Sequence, residues 1–315
     1  MSKIVRLRSP RVTPLEVWNI KFDGAPVWTS LGAISVQRRF DDGEQPDELG
    51  RSVAESALRF GRRLQRGEFG LLNKGCEQLW LCGGLTRLSG FRQVIEACDI
   101  GVGLIDVGLI EEDREVLAGA RRFAREFGGQ GQGQEPERPI LVVDVGQTAI
   151  KTGVLTINGQ IESFQRMPRP WDRLPIWLSS RGEWQDARKP LRSDAEQLER
   201  VIEFIADAIK EQLNGLNAAV SSLVLALPCE LGRDLKPGAC SYGDWAMAPD
   251  MIARIVDAGG LSRKSLSVLP LNDAELAGYA VLDRLETTYP GDSALVLTLG
   301  YGPGAACVNS EARND

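Results

Sequence analysis

The stretch that constrains this chain most runs from Pro139 to Met167, PILVVDVGQTAIKTGVLTINGQIESFQRM. An apolar run, Ile140 to Val143, ends in Asp144, and Gly146, Thr148 and Lys151 follow before a second apolar run. Asn158-Gly159 separates that run from a third, and Asn-Gly between such segments signals a hairpin because both residues tolerate positive φ. The pattern predicts a strand, a sharp turn and two further antiparallel strands. The turn would carry a carboxylate, a glycine, a hydroxyl and an ammonium, a set suited to a metal-bound phosphate. Such a stretch usually opens a domain, yet here 138 residues precede it.

Those preceding residues have a pattern of their own. Leu15 to Phe22 and Pro26 to Val36 read as short β-like pieces separated by Asp23-Gly24. From Pro46 the period becomes helical, with Leu49, Val53, Ala57, Phe60 and Leu64 at spacings of three and four. Gln78 to Cys82 is a buried-strand candidate that runs into Gly83-Gly84, Gly90 to Ala97 begins a helix, and Val102 to Val107 is another strand. Glu111 to Phe127 is helical, with acids in its first turn and arginines towards its end, as the helix dipole favours. Residues 128–138, GGQGQGQEPER, read as a flexible linker or as an ordinary long loop.

Beyond the opening hairpin, residues 168–192 carry Trp171, Trp177 and Trp184 in a polar, proline-bearing excursion, either a wall against a ligand or a surface loop. Ser193-x-x-Glu196 has the form of a capping box before a helix with Leu198, Val201, Ile202, Ile205, Ile209 and Leu213 on one stripe. Ser222 to Leu227 and Ser267 to Leu271 are strands, Ala248 to Ala258 and Asp273 to Leu285 helices. Ala294 to Leu299 is a strand that enters Gly300-Tyr301-Gly302-Pro303-Gly304.

Four strand ends therefore finish in glycine or carboxylate, and in open α/β sheets ligands gather outside the carboxyl ends of strands. Asp144 could hold Mg²⁺, with Gly146, Thr148 and Lys151 towards phosphate, or the stretch could form an ordinary turn. Gly300, Gly302 and Gly304 could cradle an anion on successive N–H groups, or form a glycine-rich hairpin turn. Gly83 and Gly84 could let a nucleoside lie against bare backbone, or form a plain turn. Asn272 and Asp273 could supply an orienting amide and a general base, or a helix N-cap.

Composition removes several alternatives. A length of 315 residues suggests about two domains, and 43% apolar residues can fill their cores. A net charge of −6 without a basic stripe argues against nucleic acid as a partner. The chain contains no histidine, which excludes Ser-His-Asp catalysis and imidazole zinc sites. Six cysteines without CxxC spacing predict reduced thiols, and no run approaches 18 apolar residues, so the expectation is a soluble cytoplasmic protein with no membrane partner.

The order of the motifs resembles the ROK-type sugar kinases of the actin-like ATPase superfamily. Asp144-Val-Gly146-Gln-Thr148-Ala-Ile-Lys151 resembles that family's first phosphate motif, and Leu297 to Val308 its second, with Tyr301 where threonine is usual. Leu223 to Leu231 resembles a strand ending in Pro-Gly, with Cys229 in place of glycine; Gly243-Asp-Trp245 resembles a Gly-Trp before a helix; Leu271-Asn272-Asp273-Ala274 matches Asn-Asp-Ala. The adenosine motif, which follows the second phosphate motif in such kinases, is instead matched at the front by Leu79 to Phe91 and Glu115 to Ala124.

The resemblance implies a two-lobed actin-like (ribonuclease H-like) α/β fold that is circularly permuted. Residues 1–127 with 291–315 would form the second lobe, 128–138 a linker, and 139–290 the first lobe. It further implies an ATP- and Mg²⁺-dependent phosphotransferase acting on a sugar-like small-molecule acceptor, with Asp273 as catalytic base and Asn272 on the substrate. A nucleotide-binding or ATPase module, or a silent ligand binder, is the alternative, because the family's zinc-binding cluster and its sugar-binding Glu-x-x-His are absent. A homo-oligomer stays open.

Overall fold

The computed structural model describes residues 3–5, 9, 11–18, 20–98, 102–104, 113–127, 138–146, 149–156, 158, 160–168, 195–216, 220–232, 234–240, 243–245, 248–262, 266–300 and 302–310. The first elements are β1 (Lys3–Ile4), β2 (Val12–Leu15), β3 (Lys21–Phe22), β4 (Ala25–Pro26), α1 (Trp28–Leu31), α2 (Ala33–Asp41) and α3 (Pro46–Gln65). Next come β5 (Gln78–Cys82), a 3-10 turn (Gly84–Arg87), α4 (Phe91–Glu96), β6 (Val102–Leu104) and α5 (Asp113–Phe127). β7 (Ile140–Val145), β8 (Ala149–Leu155), β9 (Ile161–Pro168), α6 (Ala195–Asn214) and β10 (Ser222–Leu227) follow. The remainder is β11 (Ala239–Cys240), β12 (Gly243–Asp244), α7 (Met251–Ala258), β13 (Ser267–Asn272), α8 (Asp273–Thr288), β14 (Ser293–Leu299) and β15 (Pro303–Asn309). The chain divides into two compact units, one of Met1–Leu7 with Ala120–Asp273 and one of Arg8–Gly119 with Ala274–Asp315.

The first unit holds a six-stranded sheet in the order β1-β13-β10-β7-β8-β9. β7, β10 and β13 run parallel, as their continuous apolar sequences require: a strand covered on both faces has no reason to alternate. β8 and β9 complete the antiparallel meander that the sequence pattern predicts. A β-bulge interrupts the β8–β9 ladder between Thr152 and Val154; Ser163 there takes φ 51°, and the buried Gln212 amide donates to its carbonyl at 2.7 Å. Helix α6 buries Val201, Ile202, Ile205 and Ile209, and Ile209 reaches Gly259 just after α7. Pro270 within β13 lacks an N–H for the ladder, and it is tolerated because β1 pairs only with Ser267 and Val268.

The second unit holds a five-stranded sheet in the order β2-β15-β14-β5-β6. Its strands alternate in what they bury. Leu295, Leu297 and Leu299 of β14 and Leu79 and Leu81 of β5 share a core with Leu49, Val53, Ala57, Phe60 and Leu64 of α3. On the opposite face, α8 brings Gly278 against Val12, Ala306 and Val308, and Arg284 lies over the Trp80 ring at 5.3 Å. Each leucine so enclosed is worth about 1.5–3 kcal/mol relative to exposure. Pro14 sits in β2, an edge strand, where the missing donor breaks no inner ladder.

The two sheets repeat one arrangement. In each, a central strand (β7 or β14) continues on one side into an antiparallel run of two further strands and has two parallel strands on the other, apart from the added β1. In the first unit these strands follow one another along the chain. In the second, β14 and β15 come after α8, whereas β2, β5 and β6 precede β7.

One sequence expectation is overturned. Pro26 to Val36 is not β-like beyond β4: it forms α1 and α2, burying Trp28, Leu31 and Val36. Gly32 breaks the helical period between them, which hides the i, i+3 spacing of Trp28 and Leu31, and Val, Trp, Thr and Ile imitate strand composition. The sequence features at 128–137, 169–194, Gln147, Thr148 and Tyr301 lie outside the described residues.

Candidate functional site

In the first unit, the carboxyl ends of β7, β10 and β13 lie along one sheet edge, because the ladder aligns Asp144 with Ala226 and Leu227 with Asn272. Asp144 is 5% exposed, and its Cα partner across the β7–β8 ladder is Lys151. The Lys151 ammonium donates to Asp144 Oδ2 at 3.2 Å. Burying the carboxylate is thus offset by a charge placed opposite it by register alone. Gly146 closes the turn just beyond; a Cβ there would stand 2.9 Å from the Ala149 carbonyl oxygen, so the hairpin itself requires this glycine.

Asn272 ends β13, and its amide donates to the Cys229 carbonyl at 2.9 Å, with the Leu227 carbonyl at 3.5 Å. It therefore ties the exit of β13 to the exit of β10. Asp273 follows as the first residue of α8 and is partly exposed. With β10 between them, β7 and β13 are two strand spacings apart, so Asp144 and Asp273 share one edge at a lateral separation of about 10 Å.

The second unit gathers the other glycines at the corresponding edge, where Cys82 of β5 pairs with Thr298 of β14. Gly83 takes φ 103°, and a Cβ there would lie 2.4 Å from the Leu299 carbonyl oxygen. Backbone approach to β14 explains that glycine. Gly84 starts the 3-10 turn with nothing near its missing side chain, and Thr86 Oγ1 donates to the Gly83 carbonyl at 2.8 Å.

Gly300 and Gly302 flank the tip of the β14–β15 hairpin, which Leu299 and Pro303 close as a Cα pair. The Gly300 carbonyl accepts from Ala33 N–H at 3.1 Å, and the space around its missing Cβ is open. Gly302 differs. A Cβ there would fall 1.5 Å from a Trp18 ring carbon, and Trp18 is itself stacked on Trp28 at a centroid distance of 6.2 Å. An indole occupies that face of the loop, so packing accounts for Gly302, and Gly300 and Gly84 are the glycines with open space. Gly304 lies inside β15, opposite Thr298.

Trp18 is the neighbour that sequence reasoning missed. It stands 284 positions from Gly302, beyond any local pattern. The Cys229 carbonyl was likewise hidden, since backbone acceptors leave no residue signature. Among the described residues no group of three or more His, Cys, Asp or Glu side chains could hold a metal ion, and no helix is long and apolar enough to cross a membrane.

No family model and no curated protein matches the chain. Among solved structures it is similar to the ethanolamine utilization protein EutJ from Carboxydothermus hydrogenoformans, at 16% identity and a TM-score of 0.43, over 74% of this chain and 75% of that one. A Ppx/GppA family member from Aquifex aeolicus gives 10% identity and a TM-score of 0.41 over 81% and 88%. A ROK family protein from Streptococcus pneumoniae TIGR4, in complex with sucrose, gives 16% and 0.31 over 56% and 48%.

Proposed function

We propose that the chain is an ATP- and Mg²⁺-dependent phosphotransferase acting on a sugar or similar hydroxyl compound. One observation carries this reading. The first unit's sheet lines up, on a single edge, a buried carboxylate–ammonium pair beside a glycine turn and a second carboxylate two strands away. The residues suit the ligands. Mg²⁺ is commonly held by one or two carboxylates with phosphate and water supplying the rest, so Asp144 alone is an adequate protein contribution. Lys151 would meet phosphate oxygens beside the Gly146 turn, and in the second unit Gly84 and Gly300 leave bare backbone open to a nucleotide. Thr148, Gly83, Gly302 and Gly304 complete the set suggested by sequence, with Gly83 and Gly302 in a packing role.

When bound, the nucleotide would supply the transferable phosphoryl group. Asp273 would accept the proton of the acceptor hydroxyl, which an aspartate can do when the proton moves late. Asn272 would act by holding the β10 and β13 exits in register, which fixes the backbone that presents Asp273. That engagement also favours a second reading, a nucleotide-binding or ATPase module, because the amide that would orient a sugar hydroxyl is committed to backbone carbonyls. The order of the second unit's strands supports reading the chain as a circularly permuted member of the actin-like fold.

ADP release measured with Mg-ATP across a panel of sugars and other alcohols separates the readings. Acceptor-dependent turnover that disappears in Asp273→Ala, with ATP binding retained, is the expected result. Turnover indifferent to acceptor would leave the ATPase reading, and no ATP-induced thermal shift would overturn both.

A further inference from the structure

The second unit carries a groove of about 280 Å³ lined by Phe22, Asp23, Arg59, Arg62, Arg63 and Arg66. Four arginines gather at this groove in a chain of net charge −6, their stems and the Phe22 ring forming its walls. They arise from one helical stripe: positions 59, 62 and 63 of α3 and Arg66 at its C-cap are related by three, four and seven residues, so they share a face opposite the apolar stripe of Phe60 and Leu64. Like charges at these spacings cost an isolated helix a few tenths of a kcal/mol per pair, about 0.2–0.5. Helix stability does not account for them.

The groove is also pre-shaped. Arg59 and Arg63 lie over the Phe22 ring at 5.7 and 5.6 Å from its centroid, and Arg63 lies over Phe69 at 5.1 Å. These cation–π contacts hold the two guanidinium groups beside the rings, which reduces the entropy lost when they bind an anion. Neutralisation from within is incomplete. Asp23 reaches Arg59 and Arg63 only at 3.4 and 3.5 Å, beyond good hydrogen-bond length. Glu68 binds Arg63 at 2.8 Å and Arg66 at 2.6 Å, whereas among the described residues Arg62 donates to the Gln65 amide oxygen, at 3.0 Å. Two carboxylates therefore face four guanidinium groups.

We propose that this groove binds a small anion carrying two or three linked phosphoryl groups. From Arg59 to Arg66 the helix rises about 10.5 Å, a length over which a chain of phosphoryl groups, not a lone carboxylate, can engage successive arginine forks. Asp23 stands at the tip of the β3–β4 hairpin, where Asp23 at φ 51° and Gly24 at φ 86° project it into the groove. It acts as the internal competitor that an incoming phosphoryl group displaces.

Calorimetric titration of the full chain with tripolyphosphate tests this, with citrate as a carboxylate comparator. Arg59→Lys/Arg66→Lys keeps the charge and, because both side chains are largely exposed, the fold; it loses the forks and is expected to weaken tripolyphosphate about tenfold, the loss of one or two charge-assisted bonds. Asp23→Asn is expected to tighten binding, and Arg92→Lys, at an exposed arginine outside the groove, to leave it unchanged. Equal affinity in wild type, Arg59→Lys/Arg66→Lys and Asp23→Asn would overturn the proposal. So would an equal loss of binding in Arg92→Lys, or citrate bound as tightly as tripolyphosphate.

Discussion

The Asp144–Lys151 pair permits a quantitative test, because removing either partner strands the other in a buried place. At 3.2 Å the gross attraction is about 5 kcal/mol with an effective dielectric constant of about 20. Most of that offsets the desolvation of both groups, so the pair adds little net stability; what counts is the asymmetry on breaking it. Lys151→Met keeps the aliphatic stem and leaves the carboxylate, 7% exposed at its side chain, without its ammonium. Losing one partner of a fully buried pair costs about 3–5 kcal/mol, and the 19% exposure of the lysine reduces this to about 2–3. Asp144→Asn, which keeps shape and leaves the lysine a route to water, should cost less, about 1–2 kcal/mol. The double variant Asp144→Asn/Lys151→Met should recover most of the loss. Urea unfolding of the four proteins gives the coupling energy directly. A coupling below about 0.5 kcal/mol, with each single change nearly neutral, would refute the reasoning, since it would mean that both charges are hydrated in the folded chain.

Three further outcomes follow from the same packing. Gly302→Ala should destabilise the second unit by about 1–3 kcal/mol by displacing Trp18, and adding Trp18→Ala should relieve the clash; thermal melts of the single and double variants check the compensation. Gly119→Ala sets about 1 kcal/mol of helix propensity against a Cβ 2.3 Å from the Leu276 carbonyl oxygen; because the neighbour is backbone, the clash should win, and a rise in melting temperature would contradict that. The Glu77 carboxyl is subject to burial that works to raise its pKa, but hydrogen bonds from the Ser293 hydroxyl and N–H outweigh this and hold it below its ordinary 4.5. Its contribution is therefore present above about pH 4.5 and lost as pH falls through the depressed value, so Glu77→Gln should flatten stability in that acid window, as read by chemical unfolding across pH.

Much of the scaffold could be read from the residues because burial on two faces leaves a plain signature. The uninterrupted runs at Ile140 to Val143, Ser222 to Leu227 and Gln78 to Cys82 are strands, and the stripe from Leu49 to Leu64 is a helix over a sheet. Short elements were lost where a single glycine resets the period, as at Gly32. The glycines misled in another way. Gly83, Gly302 and Gly146 each looked like room for a ligand, but a glycine is equally demanded where another part of the protein comes close. For Gly83 that neighbour is the Leu299 backbone and for Gly302 the Trp18 ring, both more than 200 residues away in the chain. The arginines of α3 were visible as letters, yet the helix was read by its apolar face, and the meaning of the opposite face depends on Phe22, which arrives from a separate hairpin.

The repeated strand order makes the two sheet edges comparable position by position. Asp144 is the penultimate residue of β7 and pairs with Lys151; the penultimate residue of β14 is Thr298, which pairs with Gly304. On the parallel side, Asp144 stands beside Ala226 and Thr298 beside Cys82, so the exit Leu227-Pro228 in one unit corresponds to Gly83-Gly84 in the other. The same rung of one scaffold thus carries a charge pair and an apolar exit in the first unit, and a hydroxyl, a glycine and a glycine exit in the second. Charge is concentrated on one edge and bare backbone on the other. Under the proposed reading, changes at Asp144 and Lys151 alter the dependence of turnover on Mg²⁺, and a side chain introduced at the open Gly84 weakens nucleotide binding.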